Sequence, residues 1–146
     1  MRAIGIDYGE RRIGLSFGDE IGVATPLQPA IERSEAERIA HIAKVAQERG
    51  ATDLVVGYPY NMDGSAGFKA KEVDGFIEKV SNAIDLPIHR IDERLTSVEA
   101  SKGFRQGRDD ELRRSGKLDS AAAAIILQDF LNQRLSLPDY ESEELD

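Results

Sequence analysis

The sequence predicts an α/β fold, a five-stranded mixed sheet with three antiparallel strands followed by two parallel ones and flanked by helices. Short extended segments separated by turn signals occupy the first 31 residues, and strand-like runs then alternate with segments of helical spacing. A chain of 146 residues is large enough for one hydrophobic core. We expect a single domain over residues 1–137 and an acidic, disordered tail over residues 138–146.

The first three strands are predicted over residues 2–7, 12–17 and 22–31. A turn containing Gly9 joins the first two segments, which indicates a hairpin. The third segment contains Pro26 and Pro29, and proline lacks the main-chain donor that a central strand needs. We therefore place this strand at an edge of the sheet.

The rest of the chain alternates helices and strands. Ser34 is a typical N-cap for the first helix, and Gly50 marks its end. The predicted elements are a helix over 34–50, a strand over 54–57, a helix over 66–84, a strand over 87–92, a short helix over 96–104 and a helix over 118–135. This order matches the ribonuclease H-like plan.

The net charge of −8 is unevenly distributed. Five acids and no base follow residue 138, so residues 1–138 carry a net charge of −3. Residues 101–117, by contrast, contain six basic residues and three acidic ones. A local basic surface can hold phosphates even on an acidic protein, so nucleic acid remains a possible partner.

Composition excludes several kinds of site. The absence of cysteine excludes disulfides, thiolate nucleophiles and cysteine zinc sites, which leaves oxygen ligands, His41 or His89 for any metal. We expect His41 to be a surface or partly packed residue and His89 to be a packed, neutral histidine, in preference to metal ligands. No apolar stretch is long enough for a membrane span and no signal peptide is recognised, so we expect a soluble, cytoplasmic protein without a membrane partner.

Asp7 is the first candidate site residue. Strand alternation places it on the sheet face opposite Ile4 and Ile6, beside the small residues at positions 3 and 5, which we expect to leave room for a ligand. Gly9 permits a sharp turn just beyond Asp7. The carboxylate should therefore lie at a strand end, where α/β sheets open their ligand crevices.

Two further carboxylates point inward by the same geometry. Glu93 closes the fifth strand and shares a face with Ile91, whereas Asp92 faces the other way. Helical steps from Asp119 reach the apolar stripe formed by Ala122, Ala123, Ile126 and Phe130. Each acid taken singly has an equally good structural explanation. Asp7 is consistent with a turn residue, Glu93 with half of an ion pair and Asp119 with a helix N-terminal acid.

Together the three acids predict a metal-dependent active site. Inward-facing carboxylates would repel one another unless a cation lay between them. Asp7, Glu93 and Asp119 are therefore candidate catalytic residues and ligands of Mg²⁺ or Mn²⁺. A pair of such ions about 4 Å apart would cleave a phosphodiester. Arg11, Arg12 and Lys117 flank the acids in sequence and are candidates for phosphate contacts.

Several separated motifs resemble the YqgF family of pre-16S rRNA nucleases, which is related to Holliday-junction resolvases. They are Gly5-Ile6-Asp7-Tyr8-Gly9, Val55-Val56-Gly57-Tyr58-Pro59, Asp92-Glu93-Arg94-Leu95-Thr96-Ser97 and Gly116-Lys117-Leu118-Asp119-Ser120. The resemblance implies the same acidic triad. It also implies that the nucleic-acid cleft is lined or shaped by Asn61, Asp63, Gly64, Ser65, Arg94 and Thr96.

Tyr58 departs from the family pattern, which often has an aliphatic residue before Pro59. Together with Tyr60, it can stack on a base or pack beneath the loop. We favour packing.

The leading functional hypothesis is a nuclease that processes the 5′ end of precursor 16S rRNA, with a ribosomal particle as a further partner. The main alternative is a resolvase of four-way DNA junctions, which should be a homodimer with two sites. Apart from that hypothesis, the sequence is consistent with either a monomer or a homodimer. A non-catalytic ribosome-assembly scaffold is another alternative. A nucleotide-binding module is suggested by the likeness of residues 4–9 to the first phosphate motif of actin and sugar-kinase ATPases, although those grip ATP between two domains.

Overall fold

A computed structural model describes residues 1–59, 67–92 and 117–145, with the side chains of the last helix described from 120 to 134. The elements are β1 (Arg2–Asp7), β2 (Ile13–Asp19), β3 (Thr25–Ala30), α1 (Glu35–Glu48), β4 (Asp53–Tyr58), α2 (Phe68–Ala83), β5 (Ile88–Asp92) and α3 (Lys117–Leu145). The predicted short helix over 96–104 lies outside these residues.

The five strands form one mixed sheet in the order β3-β2-β1-β4-β5. β1 and β2 are antiparallel, with Asp7 opposite Gly14, and β2 and β3 are antiparallel, with Ser16 opposite Pro26. β4 and β5 both run parallel to β1. The prediction of three antiparallel strands followed by two parallel strands is confirmed, and β3 is an edge strand as its prolines indicated.

Side chains of the central strands alternate between two hydrophobic layers. The layer against α1 and α2 contains Ile4, Ile6, Leu54, Val56, Ile42 and Phe76. The layer against α3 contains Ala3, Val55, Ile91, Ile126, Leu127 and Phe130. The predicted separation of Ile4 and Ile6 from Ala3 is therefore confirmed, as is the apolar stripe of α3.

Side-chain hydrogen bonds fix the direction of α3 across the sheet. The Ser120 hydroxyl accepts from the Leu15 main-chain N–H at 3.3 Å, and the Ser16 hydroxyl donates to the Ala123 carbonyl at 2.8 Å. Farther along α3, Leu131 lies beside Gly18. α3 therefore runs along β2 and antiparallel to β1, so its first turn lies at the edge where β1 ends.

The element boundaries follow local capping. Ser34 caps α1 and accepts from the Glu37 main-chain N–H at 3.1 Å, and Gly50 follows the helix with a φ of 62°. β3 begins later than predicted because Gly22, with a φ of 89°, lies in a turn and donates to the Asp19 carbonyl at 2.9 Å. α3 continues to Leu145, past its predicted end at residue 135. The domain boundary at residue 137 remains a prediction.

Among the residues described, no helix combines the length and the apolar character that a membrane crossing requires.

Candidate functional site

The carboxyl ends of β1, β4 and β5 meet at one edge of the sheet, because these three strands are parallel. Their last residues are Asp7, Tyr58 and Asp92. This edge is the usual position of ligand crevices in α/β sheets.

A cleft of about 160 Å³ opens at this edge. Asp7 lies in its wall and is only 9% exposed. The lining residues are Asp7, Tyr8, Gly9, Glu10, Gly57, Pro59, Lys69, Glu72 and Val73. With three carboxylates and one lysine in this lining, the described part of the cleft is acidic.

Glycines shape the chain around Asp7. Gly57 lies in the cleft lining and has no side chain to fill the space. A Cβ atom at Gly9 would collide with the Arg12 carbonyl, so the turn after Asp7 requires glycine. The room expected beside Gly5 is occupied: a Cβ atom there would lie 2.7 Å from Leu127 Cβ and 2.8 Å from the Ala123 carbonyl oxygen. The small residue at position 5 therefore admits α3 and leaves no space for a ligand, which corrects that expectation.

The predicted acidic triad is described only in part. Asp119 lies in the first turn of α3, next to Ser120, which binds the Leu15 N–H. Because Leu15 pairs with Ile6, the backbone brings Asp119 to the edge that holds Asp7. The Asp119 side chain and all of Glu93 lie outside the described residues. Within the described residues no three acidic or histidine side chains form a metal-binding group, and the triad stays a prediction.

The predicted phosphate contacts are likewise placed in part. Arg11 is exposed and Arg12 half-buried in the turn between β1 and β2, directly beyond Asp7. Lys117 is the first residue of α3, at the same edge. Asn61, Asp63, Gly64, Ser65, Arg94 and Thr96 lie outside the residues that the structure describes.

Tyr58 packs, as we favoured. It is buried, its hydroxyl donates to Asp74 Oδ2 at 2.7 Å, and the Arg90 guanidinium lies 5.5 Å from its ring centroid. These contacts attach the end of β4 to α2 and exclude Tyr58 as a stacking surface. Tyr60 lies outside the described residues.

Tyr8 attaches the end of β1 to the helices in a similar way. Its ring packs on Phe76 at a centroid distance of 4.6 Å, and its hydroxyl donates to Glu35 Oε2 at 3.3 Å. Lys79 Nζ donates to the other oxygen of Glu35 at 2.8 Å. Burial, followed by the negative charge of Glu35, raises the pKa of Tyr8 above 10.0, so the phenol stays protonated and donates.

Both histidines are paired away from the cleft. His41 Nδ1 lies 2.8 Å from Glu32, and His89 Nε2 lies 2.7 Å from Asp53, the first residue of β4. His89 also packs against the Phe130 ring. Asp53 begins a strand whose opposite end reaches the cleft, so His89 lies away from the cleft. The expected packing of His89 and partial packing of His41 are observed.

Sequence reasoning missed Lys69 and Glu72, which line the cleft from the first turns of α2. Their three-residue spacing puts them on one helix face, but that pattern is common on solvated helices. Only the packing of α2 beside β4 identifies their position.

Comparisons with known sequences identify the family. The sequence model of the RuvX family, described as a Holliday junction resolvase, matches residues 1–133. The chain belongs to the RuvX family. A relative from Opitutus terrae, named "Putative pre-16S rRNA nuclease", is 48% identical over 94% of this chain and 96% of its own length. A relative of the same name from Crocosphaera subtropica is 41% identical over 90% of this chain and 93% of its own length.

Comparison of structures confirms the fold expected for a RuvX-family chain. RuvC of Thermus thermophilus, in complex with a Holliday junction substrate, has a TM-score of 0.54 at 15% identity over 93% of this chain and 96% of that one. Fowlpox virus resolvase, in complex with Holliday junction DNA, also has a TM-score of 0.54, at 12% identity over 93% of this chain and 100% of that one. The ribonuclease H-like fold is therefore established.

Proposed function

We propose that this protein is a divalent-metal-dependent nuclease that processes the 5′ end of precursor 16S rRNA during ribosome biogenesis. The observation that carries the proposal is the buried Asp7 carboxylate in a cleft at the edge where β1, β4 and β5 end. The names of the relatives supply the substrate, which would place the protein in the cytoplasm and near ribosomal particles. In this proposal Asp7, Glu93 and Asp119 form the catalytic triad.

The chemistry of the cleft is compatible with Mg²⁺ or Mn²⁺. Carboxylate oxygens are the ligands these ions prefer, and the described lining has an excess of them. Asp7, Glu93 and Asp119 would hold the metal, with Gly57 leaving space beside Asp7. Two such ions held there would supply activation of a water and charge stabilisation of the departing oxygen. An acidic cleft would repel a phosphodiester unless such cations were present.

Cations around the cleft would hold the nucleic-acid backbone. Arg11, Arg12 and Lys117 lie at the Asp7 edge and are proposed to contact phosphates. The resemblance to the family assigns the shaping of the cleft to Asn61, Asp63, Gly64, Ser65, Arg94 and Thr96.

A resolvase acting on four-way DNA junctions is the second candidate. The description of the RuvX family and the junction-bound structural neighbours favour it. A resolvase should act as a homodimer that presents two clefts to one junction.

The test offers the purified protein a precursor 16S rRNA fragment and a four-way DNA junction, each with Mg²⁺ or Mn²⁺. We expect cleavage of the RNA, and the Asp7→Asn variant should lose it by about a hundredfold or more, because an amide is a poor replacement for a charged metal ligand. The matched control is Asp85→Asn, which changes an exposed aspartate near the opposite edge and should keep full activity. Cleavage of the junction alone would favour the resolvase, and cleavage of neither would favour a non-catalytic role.

Metal binding can be measured without catalysis. Mn²⁺ should raise the unfolding temperature of the unmodified protein because it binds the folded state. The Asp7→Asn variant should lose this increase, while Asp85→Asn keeps it. An equal increase in all three proteins would contradict a metal site at Asp7.

A further inference from the structure

Phe68 is a large apolar side chain left in solvent at the rim of the cleft. It is the first residue of α2 and 78% exposed. The next residue, Lys69, lines the cleft together with Asp7. The exposed Phe68 is therefore the chain neighbour of a cleft-lining lysine, at the end of α2 that lines the cleft.

The other two aromatic rings that the structure describes at this edge pack within the fold. Tyr8 packs on Phe76, and Tyr58 is buried beneath Arg90. Phe68 instead leaves its apolar surface in water, where it gains nothing from burial. Its ring is therefore accessible to a ligand that enters the adjoining cleft.

We propose that Phe68 is a stacking platform for an unpaired base of the nucleic acid whose backbone enters the Asp7 cleft. This inference rests on the proposed function and specifies its substrate class: the nucleotide at this rim is single-stranded. A ring can stack on any base because every base has a π-face, whereas bases inside a duplex are already stacked. Lys69 would hold a phosphate of the same strand through its charge.

Binding can be measured separately from cleavage. A short fluorescein-labelled RNA is titrated in Ca²⁺ as a single strand and as a blunt duplex, and anisotropy is recorded. Phe68→Ala should weaken single-strand binding by about tenfold and leave duplex binding unchanged. Phe68→Tyr, which keeps a ring, should retain the affinity.

Ile21→Ala is the matched control, because Ile21 is 83% exposed and lies in the turn after β2, at the opposite edge of the sheet. It should bind both probes as the unmodified protein does. Both Phe68 variants and the control should keep the unmodified urea midpoint, since the substituted side chains are exposed.

Salt dependence separates stacking from charge. Lys69→Ala should reduce the slope of log affinity against log salt by roughly 0.7 for a single strand, whereas Phe68→Ala should lower affinity without changing that slope. Unchanged binding by Phe68→Ala, or an equal loss on the single strand and the duplex, would overturn the stacking role even if the unmodified protein cuts RNA normally. A different result would overturn the proposed function as well: the unmodified protein binds neither RNA form and cuts neither RNA nor junction DNA.

Discussion

Arg38 connects α1 to the turn that follows Asp7. It is 6% exposed, and its guanidinium donates to main-chain oxygens of Glu32 at 2.7 Å, Arg33 at 3.1 Å and Glu10 at 2.9 Å. Because Glu10 lines the cleft, this single side chain helps to position the wall next to Asp7. Its two Nη atoms donate to these carbonyls, whereas Nε is buried without a hydrogen-bond partner among the described residues.

Replacing Arg38 with methionine should destabilise the protein. The substitution keeps much of the volume but leaves three buried or partly buried carbonyls without their donor, so we expect a loss of about 2 kcal/mol in the free energy of unfolding. Urea unfolding measures this loss. Arg33→Met, at an exposed position, is the control and should change stability by less than about 0.5 kcal/mol. Equal stability of the two variants would contradict this role of Arg38.

Asp53 links stability to pH. Burial alone would raise its pKa, but hydrogen bonds from Thr52 and His89, with the attraction of Arg134, hold the pKa below 3.8. The folded state therefore favours the ionised carboxylate, so this stabilisation is present above pH 3.8 and is lost as the pH falls through the folded-state pKa.

The Asp53→Asn variant should consequently be less stable than the unmodified protein at neutral pH, and the difference should shrink below pH 3.8. Urea midpoints across this range measure it, with Asp85→Asn, an exposed substitution, as the control. A difference that stays constant with pH would rule out ionisation of Asp53 as the cause.

Among the elements, α3 depends most on close approach to the sheet. Ser120 accepts a hydrogen bond from the Leu15 N–H and Ser16 donates one to the Ala123 carbonyl, and Gly5 lets the helix lie directly on β1. The first turn of α3 carries Asp119 toward the cleft, so helix packing and site geometry are coupled. A shift of α3 would move one predicted ligand relative to another.

Gly5→Ala should therefore be strongly destabilising. Its Cβ atom would meet Ser16 Oγ and lie 2.7 Å from Leu127 Cβ, so we expect a loss of about 3 kcal/mol in the free energy of unfolding. Gly75→Ala is the matched control, because nothing lies within 4 Å of a Cβ atom there. Inside α2 that alanine should stabilise by about 0.5–1 kcal/mol. Denaturant unfolding of both variants tests the pair, and a neutral Gly5→Ala would contradict the packing.

Across the whole molecule, the sequence was most informative where the pattern is local. Alternation separates Ile4 from Ala3, and Ser34 marks the start of α1, so strand faces and helix starts were predictable. The link between Tyr8 and Glu35 joins residues 27 positions apart, and Lys69 reaches the cleft only because α2 docks beside β4. Such contacts depend on how elements pack, which periodicity does not specify. The space at Gly5 was misjudged for the same reason.

Removal of the acidic C-terminal segment tests the proposed domain boundary. Removing residues 138–146 eliminates five acids and no base, which changes the net charge from −8 to −3. We expect the truncated protein to keep its unfolding temperature within about 2 °C, since the predicted core ends before this segment. Its affinity for RNA should rise at low salt because repulsion is reduced, and the gain should disappear as salt increases. Calorimetry and anisotropy measure the two effects, and a large fall in unfolding temperature would place the segment within the domain.

The prolines of β3 also affect edge-to-edge association between molecules of this protein. Among the described strands β3 pairs on its β2 side alone, and Pro26 and Pro29 each lack the N–H group that an incoming strand would need at those positions. Proline at these positions disfavours the joining of two copies along this border into a continuous ribbon. The same two prolines make β3 a poor template for growth into cross-β fibrils, because segments that form such fibrils typically contain no proline.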